Sequence, residues 1–172
     1  MVSIESKIVA KEFIRAKIDS IKRRPMYKKL GLVHGCFDVI TPGHISFLLG
    51  ARSMCQILVC SVSSDEVVKK NKGDKRPVFN VKERMVHLAA LELVDYVVEC
   101  TASCAAELIQ FLAPVILLKG ADSVDSVSPD FVLEKETAQK SGGQVCYVVP
   151  NQYYHTTDIV AHPQWEEFSV EI

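Results

Sequence analysis

The stretch HGCFDVITPGH, residues 34–44, gathers groups suited to holding an anion. Gly35 lets backbone approach a ligand closely, and Thr41 and Pro42 open a helix whose first amides and dipole face outward. His44 falls in the first turn of that helix, where its imidazole can donate to the same anion, and Gly43 stands between them. A phosphate chain accounts for the glycines, the helix start and the histidine together. Taken alone, the tetrapeptide reads more simply as a well-made helix start with an exposed histidine.

Three further segments add chemistry of the same kind. EVVKKNKGDKRP, residues 66–77, holds Lys69, Lys70, Lys72, Lys75 and Arg76 around a Gly-Asp turn. Such a loop is either a solvated charge run or a mobile cationic lid over phosphates. Lys119 closes the apolar run VILLKG and precedes Gly120, Ala121 and Asp122. It either snorkels to water or faces a ligand from a strand end. YYHTTDIV offers the hydroxyls of Thr156 and Thr157 at a helix start, which by themselves are only a cap.

These groups need elements to bring them together. Five short apolar runs read as strands: KLGLVHG (29–35), QILVCSV (56–62), DYVVEC (95–100), VILLKG (115–120) and QVCYVVP (144–150). They are continuous rather than alternating, and helical segments separate them. That pattern predicts an α/β domain with a parallel sheet buried on both faces. In such sheets ligands bind beyond the carboxyl ends of the strands, where the strand order reverses. Asn80 and Glu83 have capping-box spacing before a helical stripe of Val81, Met85, Leu88 and Ala89. Ser128 and Pro129 open another helix, which ends on Gly142 and Gly143. The expected organisation is one domain over residues 1–172. It has a helical lead-in (1–28), a catalytic core (29–160) and a tail (161–172).

With 48% hydrophobic and 24% charged residues and a formal charge of −1, the 172-residue chain has no basic footprint for nucleic acid. No apolar run approaches the roughly 18 residues of a membrane span, and residues 1–13 do not read as a signal peptide. A cytoplasmic protein is expected. The six cysteines, at 36, 55, 60, 100, 104 and 146, form no C-x-x-C pair, so neither a disulfide scaffold nor a zinc knuckle is indicated.

In their order along the chain, GCFDVITPGH, SSDEVVKKNKGDKRP, ERMVHLAALELVDYVV, LLKGAD, GGQVCYVVP and TTDIV resemble the HxGH-type, cytidylyltransferase-like nucleotidyltransferases. Within that superfamily they look most like the nucleotidyltransferase domain of bacterial ADP-heptose synthases. The resemblance covers about residues 29–160. It implies a Rossmann-like, doubly wound five-stranded sheet of order 3-2-1-4-5. It also implies transfer of a nucleotidyl group from ATP, or CTP, to a phosphorylated acceptor with Mg²⁺ and release of pyrophosphate. A homodimer is an expectation of the same kind.

Carried onto this sequence, the resemblance places Gly35, Cys36, Phe37, Thr41, Gly43 and His44 against the nucleotide. Lys119, Gly120 and Asp122 lie near base and ribose, and Thr156 and Thr157 lie against phosphate. His44, Lys72 and Arg76 become the catalytic set, and Asp38, Lys69 and Arg84 meet the acceptor. No metal ligand is assigned. Four departures bear on the acceptor and the nucleotide: His34 where the heptose enzymes have Asn, Thr41 for the first histidine, Ala121 for a glycine, and His155 for a serine. A heptose 1-phosphate with ATP is the leading substrate pair, and an alcohol phosphate such as glycerol 3-phosphate with CTP is the alternative. A nucleotide-binding protein without catalysis is a further alternative. A flavodoxin-like or response-regulator domain is disfavoured, because lysines and a histidine stand where those need an acidic cluster or flavin loop.

Overall fold

The computed structural model describes residues 3–22, 29–113 and 116–149. Two helices lead in, α1 (Ile4–Lys7) and α2 (Lys11–Lys22), followed by β1 (Leu30–Gly35), α3 (Pro42–Met54) and β2 (Ile57–Ser63). Next come α4 (Asp65–Lys72), α5 (Val81–Ala89), β3 (Tyr96–Cys100), α6 (Ala106–Leu112) and β4 (Ile116–Gly120). A 3₁₀ turn at Ala121–Ser123, α7 (Pro129–Lys140) and β5 (Gln144–Val148) complete the described chain. The strands form one parallel sheet in the order β3-β2-β1-β4-β5. The parallel α/β sheet is what the apolar runs predict, and its order is the one the resemblance implies.

Alternation along the strands sorts their side chains between two cores. Val33, Leu58, Cys60, Val62, Val97, Leu118 and Val148 meet Leu48 and Ala51 of α3 and Met85, Leu88 and Ala89 of α5 on one face. Leu30, Leu32, Ile57, Val59, Val98 and Leu117 meet Ile14 and Ile18 of α2, Ile109 and Leu112 of α6 and Ala138 of α7 on the other. Because successive residues point to opposite faces, His34, Ser61 and Lys119 fall on the second face. His34 and Ser61 are direct register partners. In β4 the residue before Lys119, Leu118, pairs with Val33. The strand order reverses between β1 and β4, so His34 and Lys119 flank the crevice there.

The helix starts follow the chemistry of their caps. Thr41 accepts from the His44 amide ahead of Pro42, Asn80 and Glu83 exchange bonds as a capping box, and Ser128 accepts from the Phe131 amide ahead of Pro129. Gly142 takes the left-handed conformation after α7, with φ 79°.

Two expectations change. The basic segment 66–77 is not a loop throughout, because Ser64 caps a helix and the buried Val68 anchors it, so Lys69, Lys70 and Lys72 ride on its last turn. Only from Gly73, with φ 92°, does the chain turn away. The lead-in also does more than precede the sheet, since the Val9 amide donates to Val97 O at 2.9 Å and Ile8 bridges Val97 beside the edge strand.

Close packing leaves no room at Gly31 in β1. A Cβ there would lie 2.7 Å from Cys55 Sγ and 2.9 Å from both Cys55 Cβ and Leu118 Cδ1. Gly31→Ala is therefore expected to destabilise the protein by about 1–3 kcal/mol, the usual cost of overpacking a core. Urea unfolding of the variant against the parent measures this.

Candidate functional site

The loop from β1 to α3 contains one backbone exception. Phe37 adopts φ 47°, a left-handed conformation uncommon outside glycine. Its ring is thereby folded back over Gly35, where an added Cβ would stand 3.3 Å from Phe37 Cε2. The same ring lies 5.6 Å from the imidazole of His44.

His44 completes the start of α3 reciprocally. Its amide donates to Thr41 Oγ1 at 3.3 Å, while the Thr41 amide donates to His44 Nδ1 at 3.1 Å. Thr41 Oγ1 also lies 2.9 Å from Nδ1. A backbone N–H can only donate, so Nδ1 is an acceptor and the neutral ring carries its proton on Nε2. The cap thus sets His44 as an Nε2–H donor at the amino end of a thirteen-residue helix.

Asp38 is 2% exposed. Its Oδ1 accepts from the amides of Val78 at 2.8 Å and Phe79 at 3.2 Å, and its Oδ2 lies 2.7 Å from Arg76 Nη2. That ion pair is close but poorly aligned for a hydrogen bond. Asp38 Oδ2, Arg76 Nε and Arg76 Nη2 are all buried with no hydrogen-bond partner among the described residues. Asp38 therefore ties the end of the basic segment to the β1 loop.

Arg84, expected to meet the acceptor, is instead wholly buried. Its guanidinium donates to Phe79 O at 3.0 Å, Cys36 O at 2.5 Å, Ser63 O at 2.7 Å and Asp65 Oδ1 at 2.7 Å. Stripe spacing in α5 hides the reason, for Arg84 lies beside Met85 on the face turned into the protein. It joins the loops after β1 and β2 to the start of α5. Lys69, likewise expected at the acceptor, sits 3.5 Å from Asp74 with both side chains mostly in solvent. Cys36 lies within the electrostatic reach of Lys72, Arg84, Asp38 and Arg76; burial raises its thiol pKa and the three cations oppose that rise. Lys72 and Arg76 thus both reach the β1 loop, Lys72 through the field at Cys36 and Arg76 through its ion pair with Asp38. Gly120 is overlain by Asp122, whose Oδ1 would be 2.4 Å from an added Cβ. Thr156 and Thr157, with His155, lie outside the described residues.

A second polar centre sits at the switch point. His34 Nδ1 is 3.0 Å from Ser61 Oγ, and His34 Nε2 is 4.0 Å from Glu134 Oε1 on α7. Glu134 Oε1 also accepts from the Ala105 amide at 2.8 Å, and Oε2 pairs with Lys119 Nζ. Sequence reading passed over Glu134, which looks like one of several surface acids in DFVLEKETAQK. The available signal was spacing, since Phe131, Glu134 and Ala138 share the buried face of α7.

Among the described residues no cluster of three or more His, Cys, Asp or Glu side chains could hold a metal. Asp38 Oδ1 is taken by two amides and its Oδ2 faces the Arg76 guanidinium. A Mg²⁺ is therefore not fitted by this donor set, and its oxygen ligands would have to come from a triphosphate and water.

The cytidylyltransferase-like family model matches residues 32–168. Bifunctional protein HldE of Pelobacter propionicus is 36% identical over 156 residues, spanning 91% of this chain and 31% of that protein. The HldE protein of Rhodospirillum rubrum is 36% identical over 157 residues, 91% of this chain and 30% of that one. The chain thus spans less than a third of the length of these relatives. The lipopolysaccharide core biosynthesis protein of Thermoplasma volcanium GSS1 superposes with a TM-score of 0.59 at 23% identity, covering 74% of this chain and 99% of its own, a shared fold. No described helix is long and apolar enough to cross a membrane.

Two expectations follow from these contacts. A lysine at position 84 offers one ammonium where four acceptors now share a planar fork, so Arg84→Lys is expected to destabilise the protein by about 2–4 kcal/mol in denaturant titration. His34 has its pKa lowered from 6.5 to about 4, chiefly by burial, with Glu134 pulling it up and Lys119 pushing it down. Between those values the unfolded chain holds a proton that the folded protein lacks. The stability from a neutral His34 is thus complete above pH 6.5 and is lost as pH falls towards 4. Unfolding free energies near pH 7.5 and pH 5 should differ by about 2 kcal/mol more in the parent than in His34→Asn.

Proposed function

The chain belongs to the cytidylyltransferase-like family, and from that premise we propose that it transfers AMP from ATP to the phosphate of a phosphorylated sugar, a heptose 1-phosphate, with release of pyrophosphate. The observation that carries this reading is the reciprocal Thr41–His44 cap. An Nε2–H donor and the amino-terminal amides of α3 at the carboxyl end of β1 support a phosphate-binding role for this helix start.

The chemistry asks little of the protein beyond placement. An acceptor phosphate oxygen is already a nucleophile at neutral pH, so no general base is needed. As it bonds to the α-phosphorus, the bond from that phosphorus to the α,β-bridging oxygen breaks, and pyrophosphate leaves with the electron pair. Negative charge grows on the α-phosphate oxygens and on the leaving group. Donors held in advance where that charge appears lower the barrier without reorganising. His44 serves the α-phosphate, and Lys72 and Arg76 serve the leaving pyrophosphate from the segment that Asp38 anchors. Arg84 acts behind them by fixing the Cys36 carbonyl and the end of β2. Mg²⁺ would enter with the triphosphate and offset part of its charge.

The heptose acceptor rests on the segment resemblance and on the 36% identity to HldE over most of this chain. An alcohol phosphate with CTP is the competing pair, because the family includes cytidylyltransferases. Pyrophosphate release, followed with four nucleoside triphosphates against sugar 1-phosphates and glycerol 3-phosphate, separates the two. Binding without release from any pair would make the chain a nucleotide-binding protein. With the best pair, His44→Ala is expected to lower kcat by a factor of about 10²–10³, as for other losses of one charge-stabilising donor. Near-normal turnover would remove His44 from the mechanism.

A further inference from the structure

The switch point holds a charge arrangement unlike that of the β1 loop. There, Lys72 approaches from the basic segment with no carboxylate partner among the described residues, and the guanidinium of Arg76, although paired with Asp38, keeps nitrogens without an aligned acceptor. At the end of β4, by contrast, Lys119 is paired with Glu134, and their side chains are 13% and 3% exposed. His34 adds no charge at neutral pH, being held unprotonated mainly by burial. The carboxylate is itself fixed, since its Oε1 accepts from the Ala105 amide at 2.8 Å. Phe131 lies across the same ammonium, with Nζ 5.3 Å from the ring centroid. Position, orientation and charge of Lys119 are thus all set by α7.

An ammonium has three N–H donors. Pairing with Glu134 uses one of them and cancels the net charge while leaving the group a strong donor. Polyphosphate is drawn by uncancelled positive charge, whereas a carbonyl oxygen, ring nitrogen or hydroxyl needs only a well-placed N–H. We propose that Glu134 is a positioning residue that converts Lys119 into a charge-neutral donor for an uncharged acceptor on the nucleotide, on its base or its ribose, and so keeps phosphate away from this side of the crevice. The inference rests on the nucleotidyl-transfer reading above and adds the specificity of its β4 side.

The test uses the full chain with its best substrate pair. Glu134→Gln keeps the shape and an acceptor for the Ala105 amide but removes the countercharge. The expected result is a KM for the triphosphate raised about tenfold, the scale of one lost charge-assisted hydrogen bond, with the effect falling on KM rather than kcat. Inorganic pyrophosphate, assayed as an inhibitor, should meanwhile bind severalfold more tightly, because Lys119 is released to attract it. A purely structural lesion would weaken both ligands together, and that result, or an unchanged KM, overturns the proposal. Lys119→Met should raise the triphosphate KM to a similar degree without tightening pyrophosphate. It carries the test if the glutamine variant does not melt cooperatively, and an unchanged KM in it overturns the proposal equally. Comparing the preferred triphosphate with its 2′-deoxy form and with the other bases locates the acceptor, since only the contacted group loses discrimination in Glu134→Gln. Failure of the parent itself to turn over any pair sinks the nucleotidyl-transfer reading instead, a result distinct from any of these.

Discussion

A guanidinium with no exposed surface has to find all its acceptors inside the protein, and at Arg84 they are drawn from three separate stretches of the chain. The carbonyls of Cys36, Ser63 and Phe79 and the carboxylate of Asp65 converge on it. Removing a fully charged fork from water costs several kcal/mol unless every direction is answered. The loop after β1, the turn from β2 into α4 and the approach to α5 are therefore locked to one another by a single group. Each of these segments either carries or borders a side chain assigned to phosphate. The three loops are consequently given one relative placement by satisfying Arg84.

Around that anchor, charge is sorted by sheet face. The α3 side presents a helix start, the imidazole of His44 and the cations of the basic segment, all suited to anionic oxygen. The α7 side presents a histidine kept neutral by burial and a lysine matched to its own carboxylate. Strand alternation produces this division without further device, because Gly35 and Gly120 face one core and His34 and Lys119 the other. A crevice between β1 and β4 sees both faces at once. A nucleotide, charged at one end and neutral but richly hydrogen-bonding at the other, has the same asymmetry.

Much of this was legible from residue types. The five strands are apolar runs because both faces of the sheet are covered, and Thr41, Asn80 and Ser128 announce their helices because local caps involve neighbours within a few residues. Contacts between distant segments left fainter traces. Arg84 and Glu134 are charged residues on helices, and the ordinary expectation places both in water. Only their membership of buried stripes, beside Met85 and between Phe131 and Ala138, distinguishes them from the solvated Lys82 and Glu136. The basic segment conceals its helix for the opposite reason. Its lysines suggested a loop, while Ser64 and Val68, a cap and an anchor, were enough to wind its first half into a helix.

The pairing of Asp38 with Arg76 has a thermodynamic corollary. One carboxylate oxygen is secured by two amides, but the other relies on a guanidinium that aligns poorly with it. Any polyanion that recruits Arg76 must also compensate for the stranded oxygen left behind, so a share of its attraction is diverted into prying the two apart. That share is returned when the polyanion departs and the arginine falls back. Under the proposed transfer, tight capture would thereby be traded for ready escape, with the buried aspartate as a return spring.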